Sequence, residues 1–258
     1  MSILSLDEIT TYHTEVAMKE QLYTIPVNDA FDLDCECPLC SMYQNLEQDA
    51  IEFTMGDSYM EDDVRMETNA IGFCDVHLKK LYEFPNRLGL ALVLQTHMDE
   101  VMKNIEKLCK EEVSSSGSFF KKKQTSSPLT TYIHTTHDSC YICNRIERMF
   151  SRYIATIFHL YKNDTNFRKK FVASKGFCVK HYAVLYEESK KQLSPNLKTE
   201  FMNTLNQLML ENMKRVREDL EWFTNKFDYR YANEPWKNAK DALLRSLLKI
   251  NGIYDLIE

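Results

Sequence analysis

A chain of 258 residues with 44% hydrophobic and 27% charged side chains has the composition of a folded globular protein, and six glycines and six prolines leave few turn signals for a β-rich fold. No run approaches the roughly 20 apolar residues that span a bilayer, and Met1 to Glu20 is acidic where a signal peptide is basic and then apolar, so a cytoplasmic protein outside the membrane is expected. The net charge of −6 is unevenly divided: residues 1–112 hold 8 Lys and Arg against 23 Asp and Glu, the remainder 24 against 15. Opposite halves attract, which predicts docking of one half on the other, within a chain or across a homo-oligomer. The acidic balance argues against a nucleic-acid partner.

In chain order, the first marked element is Cys37-Pro-Leu-Cys40. Pro38 suits the first position of a helix, where its missing N–H costs nothing and its φ is already helical. Next, Gly72-Phe-Cys74 followed by His77 opens a second helix, with Gly72 supplying a conformation of positive φ just before a ligand. A longer amphipathic helix follows, with Ala91, Leu94, Met98, Val101, Ile105 and Leu108 as its apolar stripe. Residues 113–130, rich in Ser and Lys, read as a flexible linker.

The same order then recurs. Cys140 and Cys143 open a helix with the stripe Ile146, Phe150, Tyr153, Ile157 and Tyr161, and Gly176-Phe-Cys178 with His181 opens the next. A long helix carries Leu205, Met209, Met213, Val216, Leu220, Phe223 and Phe227. The second set of ligands lies 103 residues after the first for the CxxC and 104 after it for the CxxH, the signature of an internal duplication. The fold expected is all-α: two tandem helical modules, residues 1–112 and 131–258, each organised around its own CxxC…CxxH set.

A CxxC grips one ion from a single helical turn, and a CxxH on another helix completes a tetrahedron suited to Zn²⁺. Cys37, Cys40, Cys74 and His77 are therefore expected to hold one zinc ion, and Cys140, Cys143, Cys178 and His181 a second. With four protein ligands each, the sites are closed and structural, so no catalytic residue is assigned. Buried unliganded thiols are the plain alternative, and an iron–sulfur cluster is another, because Cys35 adds a third thiol beside the first CxxC. Cys35 and Cys109 are read as spare thiols, with Cys35 open as a substitute ligand of the first site. His97 and His159 fall inside amphipathic helices, and His134 and His137 in an unpatterned segment, and none is assigned a role. No nucleophile elbow, Walker loop, zincin or dinucleotide motif is present in the sequence.

Both tryptophans lie between Trp222 and Trp236, in a segment followed by Lys237 to Asp241. This reads either as a C-terminal clasp in which aromatics cap the core and Asp228, Arg230, Lys240 and Asp241 pair, or as a ligand or partner surface, since Trp, Tyr and Arg dominate binding hot spots.

The segments CPLC, GDSYMEDDVR, GFCDVH, NRLGLALVLQTH, CYICNRIER, KGFCVKH and WFTNKFDYRYANEPWKNAKDAL resemble a family of bacterial proteins of unknown function, mainly clostridial, across nearly the whole chain. The resemblance implies both CxxC…GFCxxH sets as the metal positions, and Asn86 to Gly89 and Asp228 to Arg230 as the next segments of interest. Three functions follow as expectations. The first is a zinc-stabilised scaffold for a protein partner or homo-oligomer. The second is a ligand-binding protein or enzyme with a pocket between the modules, lined from Arg87, Arg230 and Trp236. The third is a thiol redox switch.

Overall fold

The computed structural model describes residues 23–115 and 127–252, and the described residues form helices, turns and short 3₁₀ segments without a β-strand. The all-α expectation is met. A helix α1 is described over residues 23–32, followed by α2 (Pro38–Met55), α3 (Asp62–Ile71), α4 (Asp75–Glu83), α5 (Arg87–Ser115), α6 (Pro128–Asp138), α7 (Tyr141–Asn163), α8 (Thr165–Ala173), α9 (Val179–Gln192), α10 (Pro195–Asn225) and α11 (Ala242–Asn251). The CxxC, CxxH and long helices come in the same order twice, as α2, α4, α5 and then α7, α9, α10. Of the expected linker, residues 116–126 lie outside the described residues, and so does the acidic stretch Met1 to Glu20.

The helix boundaries fall where local chemistry puts them. Pro38 is the first residue of α2, and Cys74 and Cys178 are the N-caps of α4 and α9. Gly72 and Gly176 take φ of +71° and +75°, in the left-handed region that side chains with a Cβ resist. At α8 the Asp164 carboxylate accepts N–H bonds from Asn166 and Phe167, a strong cap.

The described residues divide into two compact units whose borders differ from those of the sequence repeat. The inner unit is Leu46–Arg148; the outer unit holds the chain up to Asn45 and from Met149 onward. Each border falls within a helix, α2 and α7.

The outer unit packs Phe31, Phe158, Tyr161, Phe167, Phe171, Phe177 and Phe201 into one aromatic cluster, with ring centroids as close as 4.9 Å for Phe31–Phe167 and Tyr161–Phe201. Edge-to-face and tilted contacts add about 1 kcal/mol each beyond burial. Phe177 belongs to this cluster and directly precedes Cys178, so the core fixes a ligand. In the inner unit α5 packs on α3, α4 and α6, and Phe73 plays the same part beside Cys74.

The predicted stripes hold for α7, where Ile146, Phe150, Ile157 and Tyr161 are buried. On α10 the buried residues are Phe201, Leu205, Leu208 and Val216, while Phe227 is exposed. On α5 the buried large apolar residues are Leu90 and Val93, and Met98 is 60% exposed. The run from Leu88 to Leu94 is apolar on several faces, and the tertiary neighbours select one adjacent to the face expected.

The charge asymmetry is realised inside the outer unit. Asp32 pairs with Lys170 (2.6 Å), Asp34 with Lys175 (2.5 Å) and Glu36 with Arg215 (2.6 Å).

Candidate metal centres

The eight predicted ligands gather into two tetrads, but the partnership differs from the one expected. Cys37 and Cys40 meet Cys178 and His181 in the outer unit, and Cys74 and His77 meet Cys140 and Cys143 in the inner unit. Each CxxC thus meets the CxxH from the other half of the chain. Two half-sites of identical donor type are chemically indifferent to which complement they meet. Cys35 and Cys109 belong to neither tetrad.

All ligand atoms within a tetrad lie within 4.8 Å of one another. In the outer unit His181 Nδ1 stands 3.5, 3.3 and 3.3 Å from the sulfurs of Cys37, Cys40 and Cys178, and Cys40 Sγ is 3.6 Å from Cys178 Sγ. In the inner unit His77 Nδ1 is 3.2, 3.3 and 3.3 Å from Cys74, Cys140 and Cys143, with 3.9 Å between Cys74 and Cys143. A tetrahedron with metal–sulfur bonds of about 2.3 Å and a metal–nitrogen bond of about 2.0 Å has edges of about 3.8 Å (S···S) and about 3.5 Å (S···N). The six S···N and two S···S distances given above match those edges to within about 0.3 Å. The donor set fits a four-coordinate ion with borderline or soft preference.

Each tetrad forms where two helices begin: α2 and α9 in the outer unit, α7 and α4 in the inner. Partial positive charge at a helix N-terminus, about half a unit, favours thiolates there. Three thiolates and a divalent ion leave a net charge near −1, which the paired helix ends offset.

The ligand loops are tied to one another in two different ways. In the inner unit Tyr141 N–H donates to Gly72 O (2.9 Å) and Ser139 Oγ to Ile71 O (2.5 Å). The position matching Tyr141 in the first copy is Pro38, which has no N–H to give. The outer unit uses Lys249 of α11 instead, whose Nζ donates to Glu36 O (2.6 Å) and Lys175 O (2.5 Å) and pairs with the Glu36 carboxylate at 3.0 Å. That explains a lysine only 1% exposed. Burial pushes its pKa down against the pull of Glu36.

The two histidines differ in what lies behind them. His77 Nε2 donates to Glu47 Oε1 (3.1 Å), and Lys80 Nζ holds the other Glu47 oxygen at 2.7 Å. A carboxylate on the far nitrogen fixes tautomer and ring orientation and makes the imidazole a stronger ligand. In the second copy the position matching Glu47 is Phe150, whose ring packs on His181 at 5.4 Å. His181 Nε2 is buried and finds no hydrogen-bond partner among the described residues.

Without an ion the proton arrangement also differs. Burial opposes a charged His77, yet the Cys140 sulfur and Glu47 carboxylate overcome it and raise its pKa to about 10. Burial likewise opposes the Cys140 thiolate, and His77 with the Cys143 N–H brings it down to about 6. In the outer tetrad burial pushes Cys37 up to about 12, while hydrogen bonds from Cys37 and Cys40 stabilise the Cys178 thiolate.

The remaining candidates have local roles. Arg87, in the inner unit, lies over the Tyr82 ring at 3.8 Å. The segment around it is structural: Asn86 donates to Met55 O (2.8 Å) and accepts from Gly89 N–H (2.8 Å). In the outer unit Asp228 and Arg230 form a two-pronged pair, and Asp228 caps the short 3₁₀ turn Tyr229–Tyr231. Lys226 Nζ donates to the carbonyls of Tyr231, Ala232 and Glu234, Trp222 Nε1 donates to Pro235 O, and Trp236 packs on Phe223 at 6.0 Å. Asp241 pairs with Arg245 and Lys240 is exposed. His97 accepts a place the sequence left open: its ring packs on Gly72, where a Cβ would come within 2.7 Å, and its Nδ1 bonds Asn69 O at 2.8 Å.

Glu47 and Lys249 were beyond sequence reasoning, since each acts on a ligand loop from a distant helix, and Lys80, three residues after His77 on α4, matters only through its hold on Glu47. No helix among the described residues is long and apolar enough to cross a membrane. No curated protein and no solved structure matched the chain. A family model matches residues 18–256, and the chain belongs to that family, described as a family of unknown function (DUF6062).

Proposed function

We propose that the protein is a zinc-stabilised helical scaffold of the cytoplasm, carrying two structural zinc ions per chain. The observation that supports this most directly is the pair of four-ligand tetrads with edges suited to a tetrahedral ion. Zinc fits a Cys₃His set, and four protein ligands leave no position for water or substrate. Three thiolates also push charge onto the ion and weaken it as a Lewis acid. The chain's own residues supply the rest: helix N-termini favour thiolates, Glu47 orients His77, and Lys249 ties the outer loops.

The scaffold serves a protein partner or a second copy of the chain. Phe227 and Tyr229, 76% and 87% exposed, stand on a knot held by Lys226 and Asp228, and rigid exposed aromatics beside arginine favour partner binding. The decisive experiment is metal analysis of protein purified without added zinc. Two zinc ions per chain and no visible absorption are expected; a coloured protein containing sulfide refutes the reading.

A further inference from the structure

We propose, on the footing of the metal reading above, that the inner tetrad is an oxidant-responsive modification site, and that peroxide converts Cys74 and Cys143 to a disulfide with loss of that ion while the outer ion stays. The two centres share ligands by type but not by environment. Cys37, Cys40, Cys178 and His181 are 1%, 2%, 0% and 3% exposed, and the Gly252 backbone lies over them: a Cβ there would stand 3.4 Å from Cys178 Sγ and 3.5 Å from Cys40 Sγ. Phe150 closes the side of His181. In the inner tetrad Cys74 and Cys143 are both partly exposed while Cys140 is buried, and the two exposed sulfurs lie 3.9 Å apart. Oxidation of a thiolate requires that the oxidant reach it, and here access coincides with proximity.

Electron density points the same way. Cys178 Sγ accepts the His181 N–H at 3.4 Å, which draws charge from the sulfur, whereas Cys74, the matching N-cap, makes no side-chain cap bond. Glu47 behind His77 makes its imidazole the stronger donor, a push that His181 lacks because Phe150 packs against it instead.

The step balances. One thiolate attacks a peroxide oxygen, the O–O bond breaks, and a sulfenic acid and hydroxide form. The second thiolate then attacks that sulfur, the S–S bond forms, and a second hydroxide leaves. Two protons from solvent turn both hydroxides into water, two sulfurs have lost one electron each, and Cys140 and His77 are left as the remaining ligands, too few to hold the divalent ion. A dithiol reductant and fresh zinc reverse it.

The test uses the whole unaltered chain, so no variant has to fold. Metal content is measured first, then hydrogen peroxide is added with a zinc-indicator dye present, and thiols are mapped by alkylation and peptide mass. One of two ions should leave, with a Cys74–Cys143 bond and unmodified outer cysteines. Release of both ions together, earlier release of the outer ion, no release, or a disulfide elsewhere overturns the proposal. Fewer than two ions at the outset sinks the scaffold reading instead. In that case the alkylation map still decides this one, because equal labelling of Cys74, Cys143 and the outer thiols contradicts it.

Discussion

Cys40 Sγ lies 3.6 Å from Cys178 Sγ across 138 residues of sequence. Either centre therefore draws two ligands from before residues 116–126 and two from after them. A protease recognition sequence placed in that stretch should give, after cleavage, two fragments that co-elute in gel filtration while zinc is present and separate faster when a chelator is added. Closed metal sites within each fragment would instead leave their association indifferent to the chelator.

Glu47 reaches the inner tetrad only through His77. Glu47→Gln keeps the size and one acceptor but removes the charge, and loss of such a partner lowers metal affinity by about 10- to 100-fold. Competition titration against a chromophoric chelator should show one weakened site and one unchanged. Equal weakening of both would mean that the effect runs through global stability.

Lys249 replaces a backbone bond that Pro38 cannot make. Lys249→Met leaves the Glu36 and Lys175 carbonyls and the Glu36 carboxylate short of a donor, and breaking a buried pair costs about 3 kcal/mol. Thermal unfolding should fall accordingly, with earlier loss of the outer ion than of the inner one. An unchanged melting temperature would show that Arg215 and Arg245 suffice.

Glu36 gives the pH dependence. Burial pushes its carboxyl up, but Arg215 and Lys249 outweigh burial and hold it below the ordinary value of 4.5. A carboxyl lowered on folding contributes stability above its unfolded pKa and loses it as pH falls through the folded one. Glu36→Gln should therefore be less stable than the parent at pH 7, with the gap closing in acid below about pH 4. A gap that widens on acidification would reverse the sign of the argument.

The helix starts and the ligand inventory were legible because both are local. Proline at the first helical position, glycine before a ligand and donors three residues apart all act within one turn. The pairing of half-sites was not legible. Cys37-Cys40 and Cys140-Cys143 have the same chemistry, so spacing could not choose between Cys74-His77 and Cys178-His181. The turn of Nδ1 toward the sulfurs was hidden for the same reason: ring orientation depends on Glu47 and Phe150, which arrive from another helix. The stripe on α5 failed by one position, Ala91 for Leu90, where nearly every residue is apolar and periodicity loses its contrast.

The exchanged ligands bear on how the protein is made. Synthesis runs from the N-terminus, so Cys37, Cys40, Cys74 and His77 emerge as a complete three-thiol, one-imidazole set before Cys140 exists. The first zinc trap the ribosome delivers is thus a mismatched one. The correct inner tetrad becomes complete only at Cys143, and the outer one only at His181, with Lys249 and Gly252 later still. On the zinc reading, a set closed early has to open again before either native tetrad can form.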